Sequence, residues 1–207
     1  MENFSVKSAL KLIPALFLTL GLTVSNTAAA TVLTSSINMD NGYQVFISTS
    51  NSIAGTLFGA ANNWPTTYTD TTTLTAGTNY FLHVYGYDQG GLAGFLGQFS
   101  LSGSDHIFSN SSTNLLTNTV NWQANATGFG SPYSAVTSYG LNGVSPWGFR
   151  SGVSSAAEWI WSGNNNSNDN SYFTTEINAT SVVPEPASLA LLALGLVGLG
   201  LARRRKV

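Results

Sequence analysis

Apolar and polar positions alternate in several short stretches of this chain, and that alternation defines the elements it predicts. NGYQVFISTS, residues 41–50, opens on a turn dipeptide and then sets Tyr43, Val45 and Ile47 on one face. NYFLHVYGYD, residues 79–88, follows Gly77 and places Tyr80, Leu82 and Val84 on one face, with Phe81, His83 and Tyr85 on the other. Apolar residues on both faces predict a central strand in a two-layer structure. LAGFLGQFSLSG, residues 92–103, reads as a third strand whose glycines mark bulges or close packing. TNTVNWQA (117–124), AAEWIW (156–161) and SYFTTEI (171–177) read as further strands. The Gly-, Ser- and Pro-rich stretch between Gly128 and Ser155 reads as loop. Short strands without helical periodicity predict an all-β fold, a single sandwich or jelly-roll domain over residues 31–183.

The two ends follow other patterns. Lys7 and Lys11 precede an apolar stretch, residues 12–24, and small residues follow up to Ala28, Ala29 and Ala30. This order is that of a secretory signal peptide, residues 1–30, with Ala28 and Ala30 at the cleavage site for a signal peptidase. The alternative, an N-terminal membrane anchor, is disfavoured by the shortness of the run and by Pro14 and Gly21 within it. At the other end, Pro184, Glu185 and Pro186 precede a 16-residue apolar run, 187–202, and then Arg203, Arg204, Arg205 and Lys206. At ~1.5 Å per residue the run spans roughly 24 Å as a helix, a short membrane anchor whose basic end stays in the cytoplasm.

Residues 182–207 resemble the PEP-CTERM sorting signal. The resemblance implies export through the inner membrane of a Gram-negative bacterium, transient anchoring by a transmembrane helix within residues 184–207, and processing by an exosortase near Pro184, Glu185 and Pro186. Arg203 to Lys206 would act as the basic stop. The final location would be the cell surface or the extracellular matrix. An ordinary tail anchor that happens to follow Pro-Glu-Pro is the alternative.

Composition sharpens the picture between the ends. Residues 31–183 hold seven carboxylates and one basic residue, Arg150, so their net charge is −6. Such a surface cannot neutralise a phosphate backbone, which argues against a nucleic-acid partner. The chain has no cysteine, so burial alone must hold the fold. Its 5 Trp, 8 Tyr and 11 Phe supply the core material that a disordered Ser/Asn/Gly-rich segment would lack.

A weaker resemblance, to galactose-binding-like jelly-roll modules, rests on MDNGYQVFIS, NNW, LTAGTNYFLHVYGYDQGGLAGFLGQFSL and AEWIW, spanning Ser36 to Ile177. It implies a fold more than an activity.

Candidate chemistry is sparse. His83 and His106 are the only histidines, and neither a Gly-x-Ser-x-Gly nor a His-Glu-x-x-His pattern occurs. His83 alternates with aromatics and reads as a satisfied buried histidine. Asp40, Asp88 and Glu158 could serve glycoside hydrolysis only if two of them met across a cleft. The expectation is therefore a non-enzymatic protein. Structural Ca²⁺ is the one cofactor considered, with Asp40, Asp88 and Asp169 as candidate ligands and Glu176 beside the first two. For carbohydrate, exopolysaccharide in particular, the candidates are the loop aromatics Trp64, Tyr133, Tyr139 and Trp147; Trp159 and Trp161 look partly core. Two functions compete: a carbohydrate- or matrix-binding module, and a structural surface or biofilm-matrix component with no small ligand.

Overall fold

The computed structural model describes residues 30–180 together with Gly195 and Leu196. Ala28, Pro184, Glu185, Pro186 and residues 203–206 lie outside the described residues, as does most of the signal peptide and of the sorting tail. One of the two compact units of the chain spans Thr27–Pro184, and its described residues form thirteen strands. They are β1 (Thr31–Asp40), β2 (Gly42–Ser48), β3 (Thr56–Ala61), β4 (Tyr68–Leu74), β5 (Tyr80–Tyr87), β6 (Gly94–Leu101) and β7 (His106–Phe108). After these come β8 (Asn114–Leu116), β9 (Gln123–Asn125), β10 (Ser134–Ala135), β11 (Thr137–Leu141), β12 (Glu158–Trp161) and β13 (Asn170–Ala179).

Two antiparallel sheets pack face to face. One runs β11-β12-β6-β1-β4, with β8 also paired to β6; the other runs β10-β9-β13-β5-β2-β3, with β7 also paired to β13. β5 lies between β2 and β13, the central place that its two apolar faces predict. The fold is the all-β sandwich read from the alternation, and β2, β5, β6, β12 and β13 fall where it places them.

Other segments differ. Residues 117–124 form a turn rather than a strand until β9 begins. Asn118 Oδ1 accepts the backbone N–H of Val120 at 2.9 Å and of Asn121 at 2.8 Å, and this local competition bends the chain away from a ladder. Val120 is left 85% exposed while Trp122 is buried, its indole N–H donating to Leu116 O at 3.2 Å. The stretch 128–155 contains the short strands β10 and β11. β1 escapes the apolar count because Ser35 sits among Leu33, Ile37 and Met39 on its inward face.

The main core lies between the sheets. Phe95 of β6 meets Phe173 of β13 with centroids 4.8 Å apart, and Trp122 stands edge-on to Phe95 at 5.3 Å. Trp161 meets Phe173 at 5.6 Å. A second cluster, Leu96, Trp147, Val153, Ala157 and Trp159, is buried on the outer side of β6 and β12, under the 142–157 loop. Trp147 and Trp159 stack there at 4.6 Å.

At one edge the sheets are tied by a polar contact. Tyr43 of β2 is buried, and its hydroxyl donates to Asp70 Oδ2 of β4 at 2.6 Å. Burial pushes the Tyr43 hydroxyl well above its usual range, and the bond to Asp70 adds to the effect, so it remains a donor. A hydrogen bond to a charged acceptor contributes about 1.5–3 kcal/mol, and its loss leaves part of a carboxylate without a partner. Tyr43→Phe should therefore lower stability by about 1–3 kcal/mol with an unchanged urea slope. Equal urea midpoints for the variant and the parent would show that the tie contributes nothing.

Candidate functional site

Strand register builds one surface that the sequence pattern does not name. Inward positions of β5 are Leu82 and Val84, so Phe81, His83, Tyr85 and Tyr87 point outward from the seven-stranded sheet. Pairing with β2, β13 and β9 sets their neighbours in rows. The rows are Gly42, Tyr87, Asn170; Gln44, Tyr85, Tyr172, Asn125; Phe46, His83, Thr174, Gln123; and Ser48, Phe81, Glu176. From the first row to the last is roughly 20 Å at ~3.3 Å per residue.

Three tyrosines dominate the first half. Tyr85 and Tyr172 stack across the strands at 4.8 Å, and Tyr85 and Tyr87 lie 5.9 Å apart. All three are half-buried, so their rings are both packed and open to solvent. The Tyr85 hydroxyl donates to Asn170 Oδ1 at 2.6 Å. Partial burial raises the Tyr85 pKa, with Tyr172 and Tyr87 adding to it, so the hydroxyl stays neutral in ordinary conditions. Tyr87 packs against the backbone at Gly42, where a side chain would collide with its ring.

The middle of the face is covered. Phe129 stacks on His83 at 4.7 Å and meets Phe46 and Tyr172 edge-on at 5.8 and 5.1 Å. Its loop is shaped by Asn125, whose Oδ1 accepts the N–H groups of Thr127 and Gly128 and whose amide donates to Ser131 O. Beneath Phe129, His83 is fully buried and contacts Ala54 O at 3.3 Å and Asn51 Oδ1 at 3.2 Å. Thr174 donates to the same Asn51 oxygen at 2.7 Å. His83 is the satisfied histidine its sequence position implies, covered by loops rather than by the inter-sheet core.

The other half of the face opens into a cleft of about 440 Å³, lined among others by Asn51, Phe81, Asn121, Gln123, Thr174 and Glu176. Amides and hydroxyls there offer both donors and acceptors beside one aromatic ring.

The loop aromatics singled out by sequence have different fates. Trp147 is only 4% exposed, stacked on Trp159, with its indole N–H donating to Asp40 Oδ2 at 2.9 Å. It is packing, because the second core needs its ring. Tyr139 is tied down, donating to Gly163 O and accepting from the Asn165 N–H. Tyr133 is half-buried and donates to Asn51 O at 3.2 Å, which braces the loop around the cleft. Trp64 lies under the Arg150 guanidinium, 4.5 Å away. Trp159 and Trp161 are both fully buried.

Among the carboxylates, Asp40 and Asp88 are close enough to interact. Burial raises the Asp40 pKa, partly opposed by the Trp147 bond; the Asp88 charge raises it further and the Arg150 charge lowers it. Asp169 reaches them through its backbone, its carbonyl accepting the Asp88 N–H at 2.8 Å. Glu176 sits at the far end of β13, paired with Phe81, and does not join them. Among the described residues no three His, Cys, Asp or Glu side chains gather into a metal-binding group.

Residues 182–206 match the family model described as the PEP-CTERM protein-sorting motif. The chain thus carries a PEP-CTERM sorting signal, and the motif implies an exported protein whose membrane-anchored precursor is processed by an exosortase. No curated protein matches the chain, and no solved structure does either, so the galactose-binding-like resemblance is not confirmed.

The buried His83 gives the face a pH dependence. Burial lowers its pKa below the ordinary 6.5, against the carbonyls of Ala54 and Ile53, which raise it. Below pH 6.5 the unfolded chain binds the proton more readily, so this contribution to stability is complete above 6.5 and declines as pH falls toward the folded-state pKa. Asp40, raised from 3.8, acts in the opposite sense at lower pH. Urea midpoints at pH 7.5 and 5.5 should differ more for the parent than for His83→Gln. Equal differences would show that His83 is not desolvated.

Proposed function

We propose that this exported protein is a non-catalytic surface or matrix component that binds a neutral polysaccharide on the outer face of its seven-stranded sheet. The observation that supports this best is the patch of Tyr85, stacked on Tyr172 and tilted against Tyr87, partly open and bordered by Gln44 and Asn170. A pyranose ring presents apolar C–H faces and equatorial hydroxyls. Aromatic faces accept the former, and side-chain amides and hydroxyls pair with the latter.

Charge supports a neutral ligand. The only charged side chain in the four rows is Glu176, and Arg150, the single basic residue of residues 31–183, is not among them. The adjoining cleft, with Phe81 beside Asn51, Asn121, Gln123 and Thr174, repeats the same chemistry. Repetition of weak subsites suits a polymer, since linked sites gain in effective concentration what each lacks in affinity. An exosortase address would deliver such a module to the place where exopolysaccharide accumulates.

Affinity electrophoresis in gels containing neutral polysaccharide from the host's own matrix tests the reading. The protein should be retarded, Tyr172→Ala should weaken retention about tenfold, and salt should change little because no counterions are released. Unretarded migration in every neutral polysaccharide, or undiminished retention of a Tyr85→Ala/Tyr172→Ala variant, would refute it.

A further inference from the structure

The other sheet carries a cleft of different chemistry. It measures about 440 Å³ and is lined by Pro65, Thr66, Thr67, Thr69, Phe149, Arg150, Ser151 and Gly152, with no carboxylate among them. Thr69 belongs to β4, an edge strand of the six-stranded sheet, and its side chain lies on the outer face beside Ser36. Phe149 is 64% exposed.

Arg150 is held in this cleft from several sides. Asn142, itself buried, accepts the Arg150 backbone N–H at 2.7 Å and donates to the Arg150 carbonyl at 2.9 Å. The guanidinium lies 4.5 Å over the Trp64 ring, and Nη1 donates to Pro65 O at 3.3 Å. Nε is buried without an acceptor. Among the described residues no ion pair uses this guanidinium, although the same stretch of chain holds seven carboxylates. Asp40 is near enough to interact with this charge but does not line the cleft. A fixed cation facing a cleft lined by hydroxyls and no carboxylate is preorganised for an anion, and its planar fork matches a carboxylate.

We propose that this cleft binds a sugar carboxylate, a uronic acid residue. Arg150 takes the carboxylate, Thr66, Thr67, Thr69 and Ser151 take the ring hydroxyls, and Phe149 offers its open face to the sugar's C–H groups. The hydroxyl-rich lining of Thr66, Thr67, Thr69 and Ser151 favours a sugar over a peptide carboxylate, because it offers many partners for ring hydroxyls. A single guanidinium among residues 31–183, whose net charge is −6, suits one carboxylate rather than a densely charged polymer. This site is independent of the tyrosine patch, which lies on the other sheet.

Titration calorimetry on the full chain in detergent micelles tests it, using digalacturonic acid, its methyl ester and an acetylated tripeptide with a free C-terminus. The acid should bind, and the ester about tenfold more weakly, since the charge-assisted bonds are lost. Raising salt should weaken the acid and leave the ester unchanged. Arg150→Gln should abolish the preference for the acid. Phe149→Ala, at an exposed position, should weaken both ligands several-fold while the melting temperature holds. Equal affinity for acid and ester, no binding of the acid, or binding of the peptide in its place would overturn the proposal. A loss of melting temperature in Arg150→Gln with the acid preference intact would also overturn it, assigning Arg150 to loop packing alone.

Discussion

The contact on which this molecule depends is the meeting of Phe95 and Phe173 across the two sheets, 4.8 Å between ring centroids. With no cysteine in the chain, no disulfide cross-links the layers, and burial of large rings must hold them together. Phe99, Trp122 and Trp161 extend the contact into a continuous aromatic layer. Glycines make the fit possible. A side chain at Gly86 would press on Met39 and Trp161, and one at Gly97 on Phe95 and Phe99. The aromatic core fixes which residues of β5 and β13 point inward, and so decides which tyrosines are left outside.

That division explains how much the sequence reveals. Alternation in 41–50, 79–88 and 171–177 is strong because Val45, Leu82, Val84, Phe173 and Ile177 bury one face, and those strands are legible. The tyrosine patch is not. Tyr85 and Tyr172 are 87 positions apart, and only the pairing of β5 with β13 stacks them. One signal was present: Phe81, His83, Tyr85 and Tyr87 all occupy alternate positions, so one face of that strand is aromatic rather than aliphatic. Reading both faces as core concealed it. Loop aromatics misled for the converse reason. Trp147 sits in a Gly- and Pro-rich stretch, yet a second core beneath that loop claims it.

The outer faces of the two sheets offer contrasting chemistry. One presents tyrosine rings and amides with a single carboxylate; the other presents hydroxyls around a guanidinium with no carboxylate in its cleft. Between them lies the closely packed aromatic core, which suits a module that holds ligand groups on a fixed scaffold. The sorting signal at residues 182–206 accounts for export separately, and the recognition proposed for the sandwich lies in a different part of the chain.

The tyrosine face is proposed to recognise neutral sugar. Aromatic carbon–proton NMR correlation spectra during titration with neutral hexose oligosaccharides test it most directly, because each ring reports for itself. Progressive shifts at Tyr85, Tyr87 and Tyr172, with Phe95 and Trp161 unmoved, are the predicted result. Saturating oligosaccharide that leaves the three tyrosines unshifted, or shifts only Phe149 and Trp64 on the opposite sheet, would contradict it.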